Sequence, residues 1–327
     1  MFKNLFNVHD FIDIMRDSSK ALSRLAPGLL LNKEDRIKAA WEHTSAPPRN
    51  WWDIPAVRER WNHLISGDTA LDYYEYISRK YLSNSNSLHA LSLGCGTGHR
   101  EIRWAEQGSF AYIDAYDLSE KRIEKAVEHS REKGLDTIIN FRAGSVDDIT
   151  MLENHYDVVL GEQSLHHFTP LKDILLRINR FLKPGGYFFV NEYVGPIRFQ
   201  WAEKQLSAAN ELLAALPDAY KVIWNSNAVK RKVYAPGRLR MFLSDPSEAV
   251  ESSRIIPLLG EIFDTVEIRD YGGTVLHLLF KDIAHHFMDD NQETRRLLEY
   301  CFKYEDNLLR NKELASDFIV AVYRKRE

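Results

Sequence analysis

Between residues 88 and 191, short apolar runs alternate with longer stretches in which apolar residues recur at helical spacing. The short runs are typical of buried strands and the longer stretches of amphipathic helices. Their alternation predicts a parallel sheet with helices on both faces. Strands are expected at His89–Leu93, Tyr112–Tyr116, Thr137–Phe141, Tyr156–Leu160 and Tyr187–Val190, and helices at Arg100–Gln107, Ser119–Lys133 and Leu171–Phe181.

The pattern changes on either side of this core, which we place at residues 88–194. Residues 1–87 are predicted to form a helical extension that ends in a serine/asparagine linker, and residues 195–261 a helical cap insertion. Residues 262–327 are expected to complete the sheet around a helical stretch from Thr274 to Leu309. The predicted elements of these flanks are helices at Val8–Leu25, Ala56–Ile65, Asp72–Leu82 and Phe199–Leu216, a helix opening at Asp245, and strands at Phe263–Asp270 and Asp317–Tyr323.

Composition limits the class of protein. The 327 residues are 44% hydrophobic and 12% aromatic, enough for a packed core. A net charge of −4 provides no general attraction to nucleic acid or to anionic membranes. The two cysteines are far apart, which excludes a disulfide framework, and no apolar run is long enough to span a bilayer. The sequence therefore predicts a cytoplasmic protein with no membrane span and no nucleic-acid partner.

Three glycines at alternate positions, Gly94, Gly96 and Gly98, follow the first predicted strand. Such a turn exposes backbone N–H groups, and glycine lets a ligand approach the chain closely. The spacing lacks the Lys-Ser/Thr ending of a phosphate-binding loop and the last interval of the dinucleotide fingerprint. Asp117 ends the second strand, where an acid can accept hydrogen bonds from two ribose hydroxyls.

Three more stretches occupy matching places in the pattern: Arg142–Asp147 after the third strand, Gly161–Phe168 after the fourth, and Leu182–Gly186 before the fifth. With the glycine turn and Asp117, in this order and spacing, they resemble the class I S-adenosylmethionine-dependent methyltransferases. The resemblance covers residues 88–194 and the last two strands. It implies a Rossmann-like, seven-stranded α/β sheet with S-adenosyl-L-methionine as cofactor and S-adenosyl-L-homocysteine as product.

The resemblance also implies which residues bind the cofactor. Glu162 and Gln163 would face its methionine end, and Asp147 or Ser145 the amino group of its adenine. The other implied cofactor residues are Gly94, Cys95, Gly96 and Gly98 around methionine and ribose, Asp117 at the ribose, and Leu118, Gly144, Ser145 and Val146 around the adenine. One position departs from the family. Where it usually has an acid, two residues before the first glycine, this chain has Ser92, and Glu162 or Glu101 would have to replace that acid at the cofactor ammonium.

Methyl transfer depends mainly on holding the acceptor and the methyl group in line, and a base is needed only when the acceptor arrives protonated. We predict His166, His167 and Glu192 as catalytic residues, because they follow the fourth and fifth strands at the edge where ligands bind. Either histidine could instead pack or cap a turn, and Glu192 could pair with Arg198. Tyr193 and His277 are further candidates, although the apolar surroundings of His277 favour a core histidine.

Three functions are compatible with these features. The leading hypothesis is a methyltransferase that acts on oxygen or nitrogen of a small-molecule or a glycan- or lipid-linked acceptor. A non-catalytic, cofactor-binding scaffold is the alternative, supported by Ser92. A nicotinamide-dependent oxidoreductase is disfavoured by the glycine spacing. No metal site is predicted, because His285 and His286 lack further ligands at helical spacing. A homodimer through Val8–Leu25 stays open.

Overall fold

The computed structural model describes residues 49–83, 85–146 and 153–326. The predicted helix at Val8–Leu25 and the predicted adenine contact of Asp147 lie outside these residues. The same is true of most of the predicted extension at residues 1–87.

A single sheet of seven strands, in the order β3-β2-β1-β4-β5-β7-β6, forms the centre of the molecule. The first five strands are parallel, and β7 runs antiparallel to both of its neighbours, β5 and β6. The predicted α/β fold class is therefore confirmed. The strands are β1 Leu88–Leu93, β2 Phe110–Asp117, β3 Ile139–Ala143, β4 Tyr156–Glu162, β5 Leu182–Tyr193, β6 Asp264–Gly272 and β7 Phe318–Arg324.

Helices cover the sheet and follow its strands as the alternating pattern predicts. In the part of the chain that the structure describes, they are α1 Pro55–Ser66, α2 Tyr73–Tyr81, α3 His99–Ala105, α4 Glu120–Glu132, α5 Leu171–Phe181, α6 Glu203–Ala215, α7 Arg238–Ser244, α8 Ile255–Ile262, α9 Leu276–Phe280 and α10 Gln292–Arg310. None of these described helices has the length and apolar content needed to cross a bilayer.

The core has two parts because successive strand residues point to opposite faces of the sheet. Ala90 packs in the cluster shared with α3 and α4, whereas its neighbour Leu91 packs in the cluster shared with α5 and α8. Each face thus buries apolar side chains under helices, as a parallel sheet requires. The polar groups that remain available lie at the carboxyl ends of the strands.

Local signals place the ends of α4 where the sequence predicts them. The hydroxyl oxygen of Ser119 accepts a hydrogen bond from the N–H of Arg122, so Ser119 is the N-cap. Gly134 follows the helix with a φ of +67°, a left-handed conformation that suits glycine.

One prediction for the flanks is wrong. No helix opens at Asp245: α7 ends just before it, and residues 245–250 form turns. The stretch from Thr274 to Leu309 is helical as predicted, and it consists of α9, a 3-10 turn at Ala284–Phe287 and α10. Within the predicted cap, α8 packs on α5 in the core of the sheet, since its Leu258 and Leu259 are buried there.

Candidate functional site

The glycine turn after β1 lies at the centre of the sheet, between the ends of β2 and β4. A Cβ atom on Gly94 would lie 2.6 Å from Cβ of Ser164, and one on Gly98 would lie 2.6 Å from the ring of Phe141. These two glycines are thus required by the protein's own packing. A Cβ on Gly96 would meet only the Arg122 guanidinium, at 3.4 Å, so a ligand can approach closest at Gly96.

Asp117 at the end of β2 braces this turn. Its Oδ2 accepts the N–H of Gly96 at 2.8 Å, and its Oδ1 accepts the N–H of Ser119 at 2.9 Å. A carboxylate has about four lone-pair sites, so both oxygens can still accept hydrogen bonds from a ligand. The side chain is half-buried and therefore accessible at the sheet edge.

The residues predicted to surround the adenine lie beside Asp117. The N–H of Gly144 donates to the Asp117 carbonyl at 2.9 Å, which holds the segment after β3 against the end of β2. Val146 packs on the buried cluster that contains Leu93, while Leu118 and Ser145 are half-buried. The structure thus brings these four residues together next to the glycine turn.

Two buried oxygen atoms near the turn lack a hydrogen-bond partner among the described residues. One is Oε2 of Glu101, whose side chain is 2% exposed, and the other is the hydroxyl oxygen of Ser164, which is 3% exposed. The second oxygen of Glu101 accepts a hydrogen bond from the hydroxyl of Ser92 at 2.6 Å. Buried polar atoms are rarely left unpaired, so these two oxygens indicate a ligand-binding position.

Glu162 at the end of β4 is enclosed by aromatic residues. Its carboxylate accepts hydrogen bonds from the Trp104 indole and the Tyr73 hydroxyl, and the Tyr74 hydroxyl lies 3.4 Å away. Burial raises the pKa of Glu162, although Arg100, with Nε at 3.9 Å, opposes that shift. The side chain therefore anchors α2 over the sheet edge.

Gln163 directly follows Glu162 and has a φ of +51°, which is unusual for a residue other than glycine. Its N–H donates to the Asn191 carbonyl at 2.8 Å, so the end of β5 holds it in this conformation. Strained residues of this kind concentrate at functional sites. The predicted methionine end of the site therefore includes a locally strained backbone.

Glu192 and His166 form a buried pair at the ends of β5 and β4. One Glu192 oxygen accepts the N–H groups of Ser164 and Leu165 at 2.9 and 2.7 Å, and the other accepts Nδ1 of His166 and the N–H of Tyr193. Because Glu192 is 0% exposed and both of its oxygens are occupied, it orients His166. Arg198 does not pair with Glu192.

The other ring nitrogen of His166 faces Glu248, with 3.5 Å between Nε2 and Oε1. Burial alone would lower the pKa of His166, but the charges of Glu192 and Glu248 raise it. Burial raises the pKa of Glu248 to about 7. His166 thus lies between two carboxylates, in an arrangement that can take up a proton near neutral pH.

His167 points to a different partner. Its Nδ1 lies 3.2 Å from the Ser247 hydroxyl, and burial lowers its pKa well below the usual value, so the ring is neutral at neutral pH. Arg198 holds the loop that carries Ser247 and Glu248, because its guanidinium donates to the carbonyls of Asp245, Pro246 and Glu248 at 2.7–3.2 Å.

Three side chains of this region are close enough to hold a metal ion. One ligand atom from each of His166, His167 and Glu248 lies within 4.8 Å of the other two. The sequence does not indicate this group, because Glu248 is far along the chain from the histidines. The absence of a metal site stays a prediction. Because these three side chains lie close together, metal binding at them should be tested.

His277 and Tyr193 lie in one aromatic cluster, and the Tyr193 ring also lies 6.2 Å from the ring of His166. The rings of Tyr193 and Phe318 lie 6.2 and 5.5 Å from the His277 ring. Burial lowers the pKa of His277 to about 3, which keeps the ring neutral. Tyr193 donates its hydroxyl to the Pro196 carbonyl at 3.1 Å. His277 therefore packs among aromatic rings, whereas Tyr193 borders the histidine pair.

Comparison with known proteins adds to this geometry. Residues 84–243 match the family described as "Methyltransferase domain". A demethylmenaquinone methyltransferase of Leptospira interrogans is 30% identical over 44% of this chain and 63% of its own length. A ubiquinone biosynthesis O-methyltransferase of Brucella anthropi is 28% identical over 46% of this chain and 60% of its own length. The chain thus spans less than two thirds of either relative.

One solved structure supports the fold over most of the chain. A geranyl diphosphate methyltransferase in complex with GPP and sinefungin superposes with a TM-score of 0.53 and covers 90% of this chain and 99% of its own. Its sequence identity is 12%, so the similarity concerns the fold alone.

Proposed function

We propose that this chain, of which residues 84–243 match a methyltransferase domain, is a class I S-adenosylmethionine-dependent methyltransferase that transfers a methyl group to an oxygen atom of a small-molecule acceptor. One observation carries the choice of oxygen: His166 is held between Glu192 and Glu248 beside the glycine turn. An acceptor nitrogen that arrives unprotonated needs no base, whereas a hydroxyl does.

The described residues fit the cofactor. Gly96 leaves room for close approach, and Asp117 has lone pairs left for ribose hydroxyls. Glu101 and Ser164 each offer a buried oxygen that has no partner among the described residues. When bound, S-adenosylmethionine supplies an activated methyl group on a sulfonium. The contribution of the protein is to bind and orient the two reactants, since positioning accounts for most of the acceleration in such a transfer.

His166 has the role of general base in this proposal. Its Nδ1 faces the Glu192 carboxylate and carries the proton in the neutral ring, which leaves the lone pair on Nε2. Nε2 accepts the hydroxyl proton of the acceptor as the oxygen gains its methyl group. Glu248, 3.5 Å away, stabilises the resulting imidazolium. Glu192 is a positioning residue, because it has no oxygen free to touch the acceptor.

Calorimetric titration with S-adenosylmethionine and S-adenosylhomocysteine tests the cofactor. We expect both to bind, and Asp117→Ala to weaken S-adenosylmethionine at least tenfold, or about 1.4 kcal/mol, because the ribose loses a charged acceptor. Folded protein that binds neither compound would contradict both the proposal and the cofactor-binding scaffold. Unchanged affinity in a folded variant would contradict the placement of the ribose.

The pH dependence of methyl transfer tests the base. Because neighbouring charges raise the pKa of His166, the rate should rise with pH through a midpoint above 6.5. Glu248→Gln removes one of these charges, so the midpoint should move to lower pH. His166→Gln should lower kcat roughly 10²–10⁴-fold while cofactor affinity stays the same. A profile that Glu248→Gln does not change would contradict this assignment.

Acceptors should be screened first among quinone precursors, because two relatives are named for demethylmenaquinone and ubiquinone biosynthesis. Hydroxylated sugars and small acids follow. Each assay should be run with and without a chelator. We expect equal rates, and a loss that Mg²⁺ or Zn²⁺ restores would instead make His166, His167 and Glu248 metal ligands.

A further inference from the structure

Ser92 occupies the position where the family usually has an acid, and the structure places a carboxylate directly beside it. We infer that Glu101, held in place by Ser92, receives the ammonium group of the cofactor. The inference rests on the proposed cofactor binding and specifies how this chain achieves it. It distinguishes between Glu101 and Glu162, which the sequence leaves as alternatives.

Ser92 and Glu101 meet near the carboxyl end of β1. Ser92 on β1 is paired with Ala115 of β2 and Leu160 of β4, and its hydroxyl donates to Oε1 of Glu101 at 2.6 Å. Glu101 reaches this point from α3, the helix that directly follows the glycine turn. Together they put a carboxylate where a longer acidic side chain on β1 would put one.

The free oxygen of this carboxylate needs a donor. Oε2 of Glu101 has no partner among the described residues, although the side chain is 98% buried, being 2% exposed. An unpaired buried carboxylate oxygen is costly, and protonation would remove the buried charge but leave the acid proton without an acceptor. A cationic N–H donor would give this oxygen a hydrogen bond and would also balance the charge of the carboxylate. The ammonium of the cofactor is such a donor.

The surroundings of Glu101 also favour a cation. Burial raises the pKa of Glu101 to about 7, and the charge of Glu162 adds to this shift. Burial likewise raises the pKa of Cys95, and the charge of Glu101 adds to that shift. Arg100 is the cation that opposes this effect on Glu101. Glu162 is a weaker candidate for the ammonium, because each of its oxygens already has a donor, Trp104 or Tyr73, whereas Oε2 of Glu101 has none among the described residues.

The experiment compares two ligands that differ by one group. S-adenosylhomocysteine carries the ammonium, and 5′-S-(3-carboxypropyl)-5′-thioadenosine keeps the adenosine, thioether and carboxylate but lacks it. We expect Glu101→Gln to weaken S-adenosylhomocysteine at least tenfold and to change the affinity of the deaminated analogue less than threefold. Ser92→Asp added to Glu101→Gln should restore most of the loss, because it puts an acid on β1.

Glu106→Gln is the matched control, since Glu106 directly follows the same helix but is exposed; both ligands should bind it as they bind the natural protein. If Glu101→Gln binds S-adenosylhomocysteine with unchanged affinity, the inference is overturned while the proposed function stands. If the natural protein binds neither ligand, the proposed function fails first. If Glu101→Gln does not fold, Ser92→Ala is the variant to use, because it removes the hydroxyl that holds Glu101 in place. It should weaken the binding of S-adenosylhomocysteine and leave that of the deaminated analogue unchanged.

Discussion

At the scale of single residues, glycine is needed for different reasons at different positions of this chain. Gly98 and Gly134 both have left-handed backbone, with φ of +78° and +67°. A Cβ on Gly98 would lie 2.6 Å from the Phe141 ring and 2.9 Å from Cβ of Ala126, whereas one on Gly134 would meet nothing within 4 Å. Gly134 is needed for its conformation alone, and Gly98 for its conformation and for space.

Substitution separates these two requirements. Gly98→Ala and Gly134→Ala share the penalty of placing alanine in the left-handed region, about 1–2 kcal/mol. Gly98→Ala should destabilise the protein by a further 1–3 kcal/mol or so, because buried neighbours must shift. Thermal unfolding of the two variants measures the difference. Equal losses of stability in the two variants would show that α4 and β3 can move away from the glycine turn.

At the scale of elements, hydrogen bonds to acidic side chains attach α2 to the sheet. Tyr76 and Tyr81 donate their hydroxyls to Glu267 of β6 at 2.8–3.1 Å, and Lys80 donates to it at 3.0 Å. Burial alone would raise the pKa of Glu267, but these hydrogen bonds lower it to about 2. The aromatic residues of α2 thus bind carboxylates as well as packing against the core.

The stability contributed by Glu267 should depend on pH. Its folded-state pKa of about 2 lies below the ordinary 4.5, so this stability is complete above pH 4.5 and is lost as the pH falls towards 2. Glu267→Gln should therefore lower the free energy of unfolding at pH 7 by about 1.5–3 kcal/mol, and by less at pH 3. Glu75→Gln, on the exposed face of α2, is the control and should have little effect at either pH. A loss that is equal at both pH values would contradict the assignment.

At the scale of the whole molecule, Glu305 joins three distant parts of the chain. This side chain of α10 is 0% exposed and accepts N–H groups of Gly273, Val275 and Leu276 at 2.8–3.2 Å. It also pairs with Arg60 of α1 at 3.0 Å. The extension, the segment after β6 and the last helix are therefore held at one buried carboxylate.

Glu305→Ala should lower the free energy of unfolding by about 3–5 kcal/mol, because it removes the buried partner of Arg60 and leaves three buried N–H groups without their acceptor. Asp306→Asn is the matched control. Asp306 pairs with the same arginine at 2.5 Å but has a side chain that is 36% exposed, so its loss should cost less than about 1 kcal/mol. Chemical denaturation of both variants gives the comparison. Similar losses would mean that Arg60 alone carries the junction.

The sequence by itself determined the fold class, the order of strands and helices in the core, the glycine turn and the N-cap at Ser119. These features depend on side-chain periodicity and on residues close together in the chain, so local physical chemistry is enough to predict them. It also indicated His166 and Asp117, because polar groups that follow parallel strands meet at one edge of the sheet.

Only the tertiary structure decided which of these groups meet. It placed Glu248 opposite His166, gave both oxygens of Glu192 to backbone and ring donors, and joined Glu101 rather than Glu162 to Ser92. These contacts join residues on different elements, and His166 lies far along the chain from both Glu192 and Glu248. Which residues become partners depends on how the elements pack and on which buried groups need hydrogen bonds. The periodicity of the sequence contains neither kind of information.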